Sequence, residues 1–391
     1  MTWFAAGLLA LLLPGAEGQK LQRHEYRRIH MGTEFHLTLY APDPETGSRA
    51  AEAAFARVEH LDRVMSDFRE DSELSLVNRK AYAAPVVVSP ELFEVLLRSR
   101  EIWAATEGAF DVTVGPLTRL WRQSRLDGRT PEARTIEEAR EFCGMEKLLL
   151  NRMTRSVRLT NPKTKIDLGA VGKGFAADEI VRMLAKRGLG RALVDAGGDL
   201  VAGEAPPNSR GWTVEIAGTG RQVTLRHRAA ATSGDRYQRL EEGERRFSHI
   251  LDPRTGYGVE SGRQITVIAP DGTTADALAT AFSVLTDEEG LRISRRFENV
   301  EVLSLPPAQR LDRSGGIVET LFPERAAKEP ALARISQTPP SRGDGEGRGC
   351  KARDEGPRSR TRAVRRGGRG DGMRRPSRRR SRYDWRCKAQ S

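Results

Sequence analysis

The chain has 391 residues, of which 38% are hydrophobic and 30% are charged, enough for one large domain or two ordinary ones. No run of about 18 apolar residues occurs, which excludes a polytopic membrane protein. Apolar clusters along most of the chain exclude a wholly disordered one. Residues 326–391 contain 20 Lys and Arg but only 7 Asp and Glu. Residues 1–325 contain the remaining 45 Lys and Arg and 46 Asp and Glu. The net charge of +12 therefore belongs to a basic tail, and the rest is near neutral.

The N-terminus resembles a secretory signal. An apolar run, Trp3–Leu13, is followed by small residues and Pro at 14–18, as in the apolar core and cleavage zone of a signal peptide. We predict a signal segment at 1–18 and export to the periplasmic side of the inner membrane. No Cys follows the run, so we expect no lipoprotein anchor. The run has no Lys or Arg before it, and a buried or disordered N-terminal helix is the alternative.

The segment 325–391 is rich in Arg, Gly and Pro and offers almost no apolar surface to bury. Such a composition cannot offset the entropy of ordering, so we predict a disordered tail. Either the tail binds phosphate backbones or anionic lipid through its arginines, or it is translation past a frameshift and has no selected role. The globular domain is predicted at 19–324.

The body mixes helices and strands without a regular strand–helix alternation. Residues 30–41 alternate apolar and polar, as in a half-buried strand, and a loop is expected at 42–48. Further strands are predicted at 147–150, 156–159, 165–168, 192–194, 212–216, 222–225, 229–232, 263–269, 300–303 and 316–320. Helices are predicted at 51–68, 89–108, 135–143, 172–187 and 274–285. This order favours an α+β fold over a doubly wound sheet.

A first candidate site is the segment 166–174, in which a strand ending near Asp167 runs through a glycine-bearing turn into a helix. The N-terminus of a helix presents free N–H groups and the positive end of its dipole, which favours an anion such as phosphate. Lys173 adds a positive charge there. The glycine spacing fits neither the dinucleotide fingerprint nor the P-loop, and a purely structural turn also fits.

Two further segments place carboxylates or a histidine beside turns. The segment 195–199, Asp-Ala-Gly-Gly-Asp, allows a ligand to approach the backbone closely, although a plain tight turn is an equal alternative. His249 and Asp252 stand where a strand is expected to run into a turn directed by Pro253. His249 is a candidate base or phosphate contact, or else a structural histidine.

The segment 271–280 contains Asp276 and Thr280 four residues apart, hence on one face of a helix. A carboxylate and a hydroxyl one turn apart suit a hard cation such as Mg²⁺, which prefers oxygen ligands. An N-terminal cap followed by a polar helix face is the alternative.

Taken together and in order, these segments resemble the ApbE family, the FAD:protein FMN transferases once called thiamine-biosynthesis lipoproteins. The resemblance covers about Glu25 to Thr320. It also includes the runs at 30–33, 65–75, 108–117 and 231–235. It implies a single two-lobed domain with mixed sheets and flanking helices, and an FAD cleft between the lobes.

The resemblance further implies Mg²⁺-dependent transfer of FMN from FAD to a Thr or Ser hydroxyl of a target protein, with release of AMP. The expected acceptors are flavoprotein subunits of membrane electron-transport complexes, and His249 would activate the acceptor hydroxyl. The implied FAD contacts are Met31, Phe68, Ala109, Phe110, Asp111, Asp167, Lys173 and Ile250. The implied Mg²⁺ ligands are the carbonyl of Ala170 and the side chains of Asp276 and Thr280.

The chain departs from the family pattern at two positions near these contacts. Phe68 stands where relatives often have Tyr, and Asp195 where relatives often have Asn. Other activities remain open from the sequence alone: an FAD pyrophosphatase with water as acceptor, a flavin-binding protein without turnover, and a binder of nucleic acid or anionic surfaces through the tail.

Overall fold

The computed structural model describes residues 20–216, 219–234, 239–243, 245–306 and 319–320. The predicted signal segment and tail lie outside these residues, as does Asp235 of the run at 231–235. Within the described ranges, no helix combines the length and apolar character needed to cross a membrane.

The strands of the described residues are β1 Gln22–His30, β2 Thr33–Ala41, β3 Val86–Val87, β4 Leu148–Asn151, β5 Ser156–Leu159, β6 Ala192–Ala196, β7 Leu200–Ala202, β8 Trp212–Glu215, β9 Gln222–Leu225, β10 Arg228–Ser233, β11 Arg239–Glu242, β12 Arg245–Ser248, β13 Gln264–Ala269, β14 Glu301–Leu305 and β15 Glu319–Thr320. The helices are α1 Pro44–Met65, α2 Glu73–Lys80, α3 Pro90–Ala105, α4 Gly115–Asp127, α5 Ala133–Arg140, α6 Gly172–Lys186, α7 Gly272–Val284 and α8 Asp287–Ser294.

One large sheet organises the fold. Its eight strands lie in the order β1-β2-β6-β7-β10-β13-β14-β15. The smaller sheets are the pair β11-β12, the pair β8-β9 and a three-stranded sheet in the order β3-β5-β4. The named strands pair antiparallel throughout, rather than in the mixed manner expected. Helices and antiparallel strands in one unit confirm the α+β class.

The two faces of the large sheet bury different sets of side chains, because successive residues of a strand point to opposite sides. On β10, Ala229 and Ala231 belong to the main core, which also contains residues of α1, α6 and α7, whereas Ala230 faces the other way. On that second face Trp212 and its neighbours on the β8–β9 hairpin form a separate cluster. The helices that carry the candidate site therefore pack on the main-core face.

A small third core joins α4 and α5 to the β11–β12 hairpin. Trp121, Phe247 and Tyr257 form a group of aromatic rings, with the centroids of the first two 5.2 Å apart. Cys143 lies in this cluster as a buried free thiol, and burial raises its pKa to about 12. It therefore behaves as a small apolar side chain.

Two predicted elements are wrong. The expected loop at 42–48 is largely helical, because Asp43 caps the helix by accepting from the Thr46 N–H at 2.7 Å and Pro44 occupies the first turn. The expected strand at 165–168 is absent: Lys165 forms only an isolated bridge. The Asp167 carboxylate accepts from the Gly169 N–H at 2.8 Å, which turns the backbone out of an extended path.

Candidate functional site

The first turns of α6 and α7 touch at a pair of glycines. A Cβ added at Gly174 would lie 2.1 Å from the carbonyl oxygen of Gly272, and one added at Gly272 would lie 2.7 Å from that of Gly174. Only residues without a side chain allow this approach. The contact brings together the two segments predicted to bind an anion and a cation, at 166–174 and 271–280. We call this contact the helix junction.

Asp276 crosses the helix junction to cap its partner helix. Its Oδ2 accepts a hydrogen bond from the Gly174 N–H at 3.1 Å, and its surface is only 4% exposed. The residue preceding α6, Val171, supplies no side-chain cap of its own. Asp276 therefore satisfies one of the free N–H groups of the first turn of α6.

Lys173 lies between two buried carboxylates at the helix junction. Its Nζ donates to Asp199 and lies 3.6 Å from Oδ2 of Asp276. Burial alone would lower the pKa of Lys173, but the charges of Asp276 and Asp199 outweigh it and raise the pKa above that of a free lysine. Asp199 was absent from the predicted site residues, although the paired glycines before it marked the segment.

The helix junction offers oxygen atoms suited to a hard cation. Thr280 lies one turn beyond Asp276, with its hydroxyl 3.4 Å from that of Ser233, and Ala170 lies in the turn that leads into α6. Burial and the charge of Asp276 raise the pKa of Asp199 to about 7, and a cation bound beside these two carboxylates would favour their charged forms. Among the described residues no three His, Cys, Asp or Glu side chains converge as a metal cluster. The expected donor set contains one carboxylate, a hydroxyl and a carbonyl, so these residues fit Mg²⁺.

Two tight turns flank the start of α6. Met31 and Gly32 connect β1 to β2 with φ angles of +49° and +73°, and the Met31 side chain reaches to within 3.6 Å of where a Gly172 Cβ would stand. Gly197, in the turn after β6, packs so tightly on Thr33 that an added Cβ would lie 2.2 Å from its hydroxyl. Met31 thus lies at the start of α6.

Phe68 is an exposed aromatic side chain in the loop between α1 and α2. Its surface is 75% exposed, and the guanidinium carbon of Arg122 lies 4.2 Å from the centre of its ring. Arg122, on α4, pairs with Asp67 and donates from Nη2 to Oδ2 of Asp167 at 3.0 Å. The chain therefore presents Phe68 on a charged support, which sequence reasoning did not identify.

Both carboxylate oxygens of Asp167 accept hydrogen bonds from other residues of the chain. Oδ1 accepts from the Gly169 N–H and Oδ2 from Arg122. Burial raises the pKa of Asp167, the charge of Asp67 adds to this, and Arg122 opposes it. The predicted role of Asp167 as an FAD contact thus competes with a role in shaping the turn before α6.

The predicted contacts Ala109, Phe110 and Asp111 form a buried segment. The first two side chains belong to the main core, so a ligand would meet the backbone of this segment. Asp111 accepts at Oδ1 from the N–H and the hydroxyl of Thr113, at 2.7 and 2.6 Å. Burial raises the pKa of Asp111, against the effect of these hydrogen bonds.

His249 and Ile250 follow β12 in a loop tied to α4. The Ile250 N–H donates to the buried Ser248 hydroxyl at 3.0 Å, and Trp121 Nε1 donates to the carbonyl of Gly256 at 2.8 Å. His249 is half-buried. The nearby carboxylate of Asp252 accepts from Arg254 at 3.0 Å. Two adjacent residues of α4 thus hold two different parts of the chain. Trp121 holds this loop, and Arg122 holds the Phe68 ring.

Solved structures with this architecture include flavin transferases. The flavin transferase ApbE from Vibrio cholerae superimposes with a TM-score of 0.64 and 27% identity, covering 73% of this chain and 94% of that one. The ApbE protein from Thermotoga maritima gives a TM-score of 0.66 and 29% identity, covering 76% and 97%.

Sequence comparison gives the same result. The ApbE family model matches residues 31–304. The FAD:protein FMN transferase of Treponema pallidum is 32% identical over 343 residues, covering 81% of this chain and 95% of its own length. That of Haemophilus influenzae is 29% identical and covers 68% and 82%. The chain belongs to the ApbE family.

Proposed function

We propose that the protein transfers FMN from FAD to a Thr or Ser hydroxyl of a target protein, in a Mg²⁺-dependent reaction that releases AMP. Similarity over 95% and 82% of the length of two relatives named FAD:protein FMN transferase supports the activity. The observation that carries the proposal is the helix junction, where Lys173, Asp276 and the first turn of α6 meet.

The helix junction suits the pyrophosphate of FAD. The N-terminus of α6 attracts an anion through its N–H groups and dipole, and Lys173 keeps its positive charge because Asp276 and Asp199 outweigh the lowering of its pKa by burial. Asp276, Thr280 and the Ala170 carbonyl would hold Mg²⁺. When bound, the ion supplies charge neutralisation on the phosphoryl oxygens.

The flavin half of FAD is assigned to the surface around Phe68. An exposed ring is a stacking surface for an isoalloxazine, while Met31 lies at the start of α6 and Ile250 in the loop after β12. The segment 109–111 and Asp167 complete the proposed contacts.

His249 is assigned the role of base toward the incoming hydroxyl. The acceptor oxygen forms a bond to the phosphorus of the FMN half, the bond from that phosphorus to the bridging oxygen breaks, and AMP leaves with that oxygen. The hydroxyl proton passes to the His249 imidazole. A half-buried histidine in a loop held at both sides is suited to this role.

The acceptors are proposed to be flavoprotein subunits of membrane electron-transport complexes that face the periplasm. The predicted signal segment at 1–18 supports this location.

The test uses the full chain with FAD, MgCl₂ and a purified acceptor subunit. Mass spectrometry would measure the mass added to the acceptor, and chromatography the released AMP. We expect covalent FMN and AMP in equal amounts, and neither when EDTA is present. AMP without covalent FMN would instead indicate a pyrophosphatase, and unchanged FAD would indicate a flavin-binding protein.

A further inference from the structure

Phe68 is fixed by a charge rather than by the hydrophobic core. Its ring projects from the loop between α1 and α2 with three quarters of its surface exposed, and one face lies on the Arg122 guanidinium at 4.2 Å. A guanidinium stacks on an aromatic face through its charge and its planar shape. Because Arg122 covers one face, the opposite face is the one open to a ligand.

Arg122 is itself held at both ends. One nitrogen of its guanidinium pairs with Asp67, the neighbour of Phe68, and the other donates to Asp167 at 3.0 Å. Asp167 in turn accepts from Gly169 in the turn before α6. A single side chain on α4 thus joins the Phe68 loop to the turn that leads into the helix junction.

This support has a direct consequence for ligand binding. An exposed aromatic side chain on a loop samples several rotamers, and fixing one of them on binding costs free energy. A guanidinium clamped by two carboxylates is a flat, immobile surface, so the ring stacked on it is ordered before a ligand arrives.

We propose that Arg122 is a positioning residue for the flavin: clamped by Asp67 and Asp167, it fixes the Phe68 ring so that its open face stacks on the isoalloxazine. The inference rests on the proposed function, because it assigns the flavin half of FAD to Phe68. It predicts that Arg122 affects FAD binding through the ring and not merely through the stability of the fold.

A double-mutant cycle on FAD affinity separates these two roles. The variants are Arg122→Gln, Phe68→Leu and the two combined, and affinity is measured by quenching of flavin fluorescence. We expect Arg122→Gln to weaken FAD binding about 10-fold when Phe68 is present and at most about 2-fold when residue 68 is leucine. Equal losses in both backgrounds would overturn the inference, because Arg122 would then act without the ring.

Three further variants guard against a simple folding defect. Arg122→Lys keeps the charge but not the two-armed geometry, so we expect it to recover part of the affinity. Asp67→Asn removes one arm of the clamp and should give an intermediate loss. Arg119→Gln changes an exposed arginine of the same helix and should bind FAD as the unmodified chain does. Equal affinity of Arg122→Gln and Arg119→Gln would also overturn the inference.

Transfer of FMN to an acceptor, measured on the same samples, tests the proposed function separately from the role of Arg122. If the losses of FAD affinity are non-additive as expected but no covalent FMN forms, the role of Arg122 stands and the transferase assignment is wrong. If FMN is transferred but the losses of FAD affinity are additive, the transferase assignment stands and the role of Arg122 is wrong. A chain that binds no FAD would overturn both.

Discussion

The helix junction and the Phe68 support are built in opposite ways. At the helix junction, two backbones touch through Gly174 and Gly272, and the buried carboxylate of Asp276 and the half-buried Lys173 lie beside them. At the Phe68 support, the key ring is exposed and polar contacts from three separate segments hold it. The first region has its geometry set by packing, the second by a few charge-assisted hydrogen bonds.

The difference indicates what each region can tolerate. Packed backbone leaves no room for added atoms, so volume changes at the helix junction are costly. An exposed ring on a charged support can be exchanged with little effect on stability, because almost no buried surface is lost. Substitutions at the helix junction should therefore affect folding or chemistry, and those around Phe68 mainly affinity.

The largest expected effect is that of Gly174→Ala. The new methyl group would collide with the Gly272 carbonyl, which belongs to the backbone and cannot rotate away, so we expect a loss of about 3 kcal/mol or more in the free energy of unfolding. Urea unfolding followed by circular dichroism measures it. Gly172→Ala, in the same helical turn, meets only the end of Met31 at 3.6 Å and serves as the control. Equal stability of the two variants would contradict the tight contact.

Asp276→Asn should abolish Mg²⁺-dependent transfer, with a fall in rate of about 100-fold or more. The amide oxygen still accepts from Gly174, so the fold is kept while the charge that would bind the cation is lost. Activity against MgCl₂ concentration, together with Mn²⁺ binding followed by electron paramagnetic resonance, checks this. Asp127→Asn, at the exposed end of α4, is the control. Full activity and normal Mn²⁺ binding in Asp276→Asn would remove Asp276 from the metal site.

His249→Ala should slow transfer about 100-fold and leave the dissociation constant of FAD nearly unchanged. The reason is that the imidazole is assigned to the proton of the acceptor and not to the flavin. Single-turnover rates at saturating FAD, set against a binding titration, separate the two quantities. A normal rate would mean that His249 is structural, and a proportional loss of affinity would place it among the flavin contacts.

The smallest predicted effect concerns pH. Asp178 caps α7 by accepting from the Gly272 and Thr273 N–H groups, and burial raises its pKa to about 6. A carboxyl whose pKa is raised by folding stabilises the fold when protonated, and that stabilisation is lost as the pH rises through 6. Between pH 7 and pH 5, the free energy of unfolding of the unmodified chain should rise by about 1 kcal/mol relative to Asp178→Asn. Parallel curves for the two proteins would show that Asp178 does not titrate in this range.

Local signals in the sequence predicted part of the fold well. Ser89 and Pro90 mark the start of α3, where the Ser89 hydroxyl accepts from the Leu92 N–H at 3.2 Å. Strand β5, at Ser156–Leu159, has the predicted bounds. By contrast, β1 was missed because it is a mostly exposed edge strand with no apolar alternation, and α8 was missed although Thr286 and Glu289 form a capping box.

The helix junction could be anticipated because its motifs combine glycine, Lys173, Asp276 and Thr280 in short segments. The Phe68 support could not. Arg122 meets Asp67 and Asp167, which are 55 and 45 residues away along the chain, and nothing near Arg122 in the sequence distinguishes it from the other arginines of α4. Contacts across such separations follow from the packing of α4 and not from a local pattern.

The contact between Gly174 and Gly272 sets a prediction for mutational scanning. Neither residue has a functional group, yet each limits how far apart the first turns of α6 and α7 can lie, and with them Lys173 and Asp276. In a library that randomises every position, these two glycines should be among the least replaceable, on a par with the charged residues they bring together. Selection for activity should therefore act on these two glycines as well, although neither takes a chemical part in the reaction.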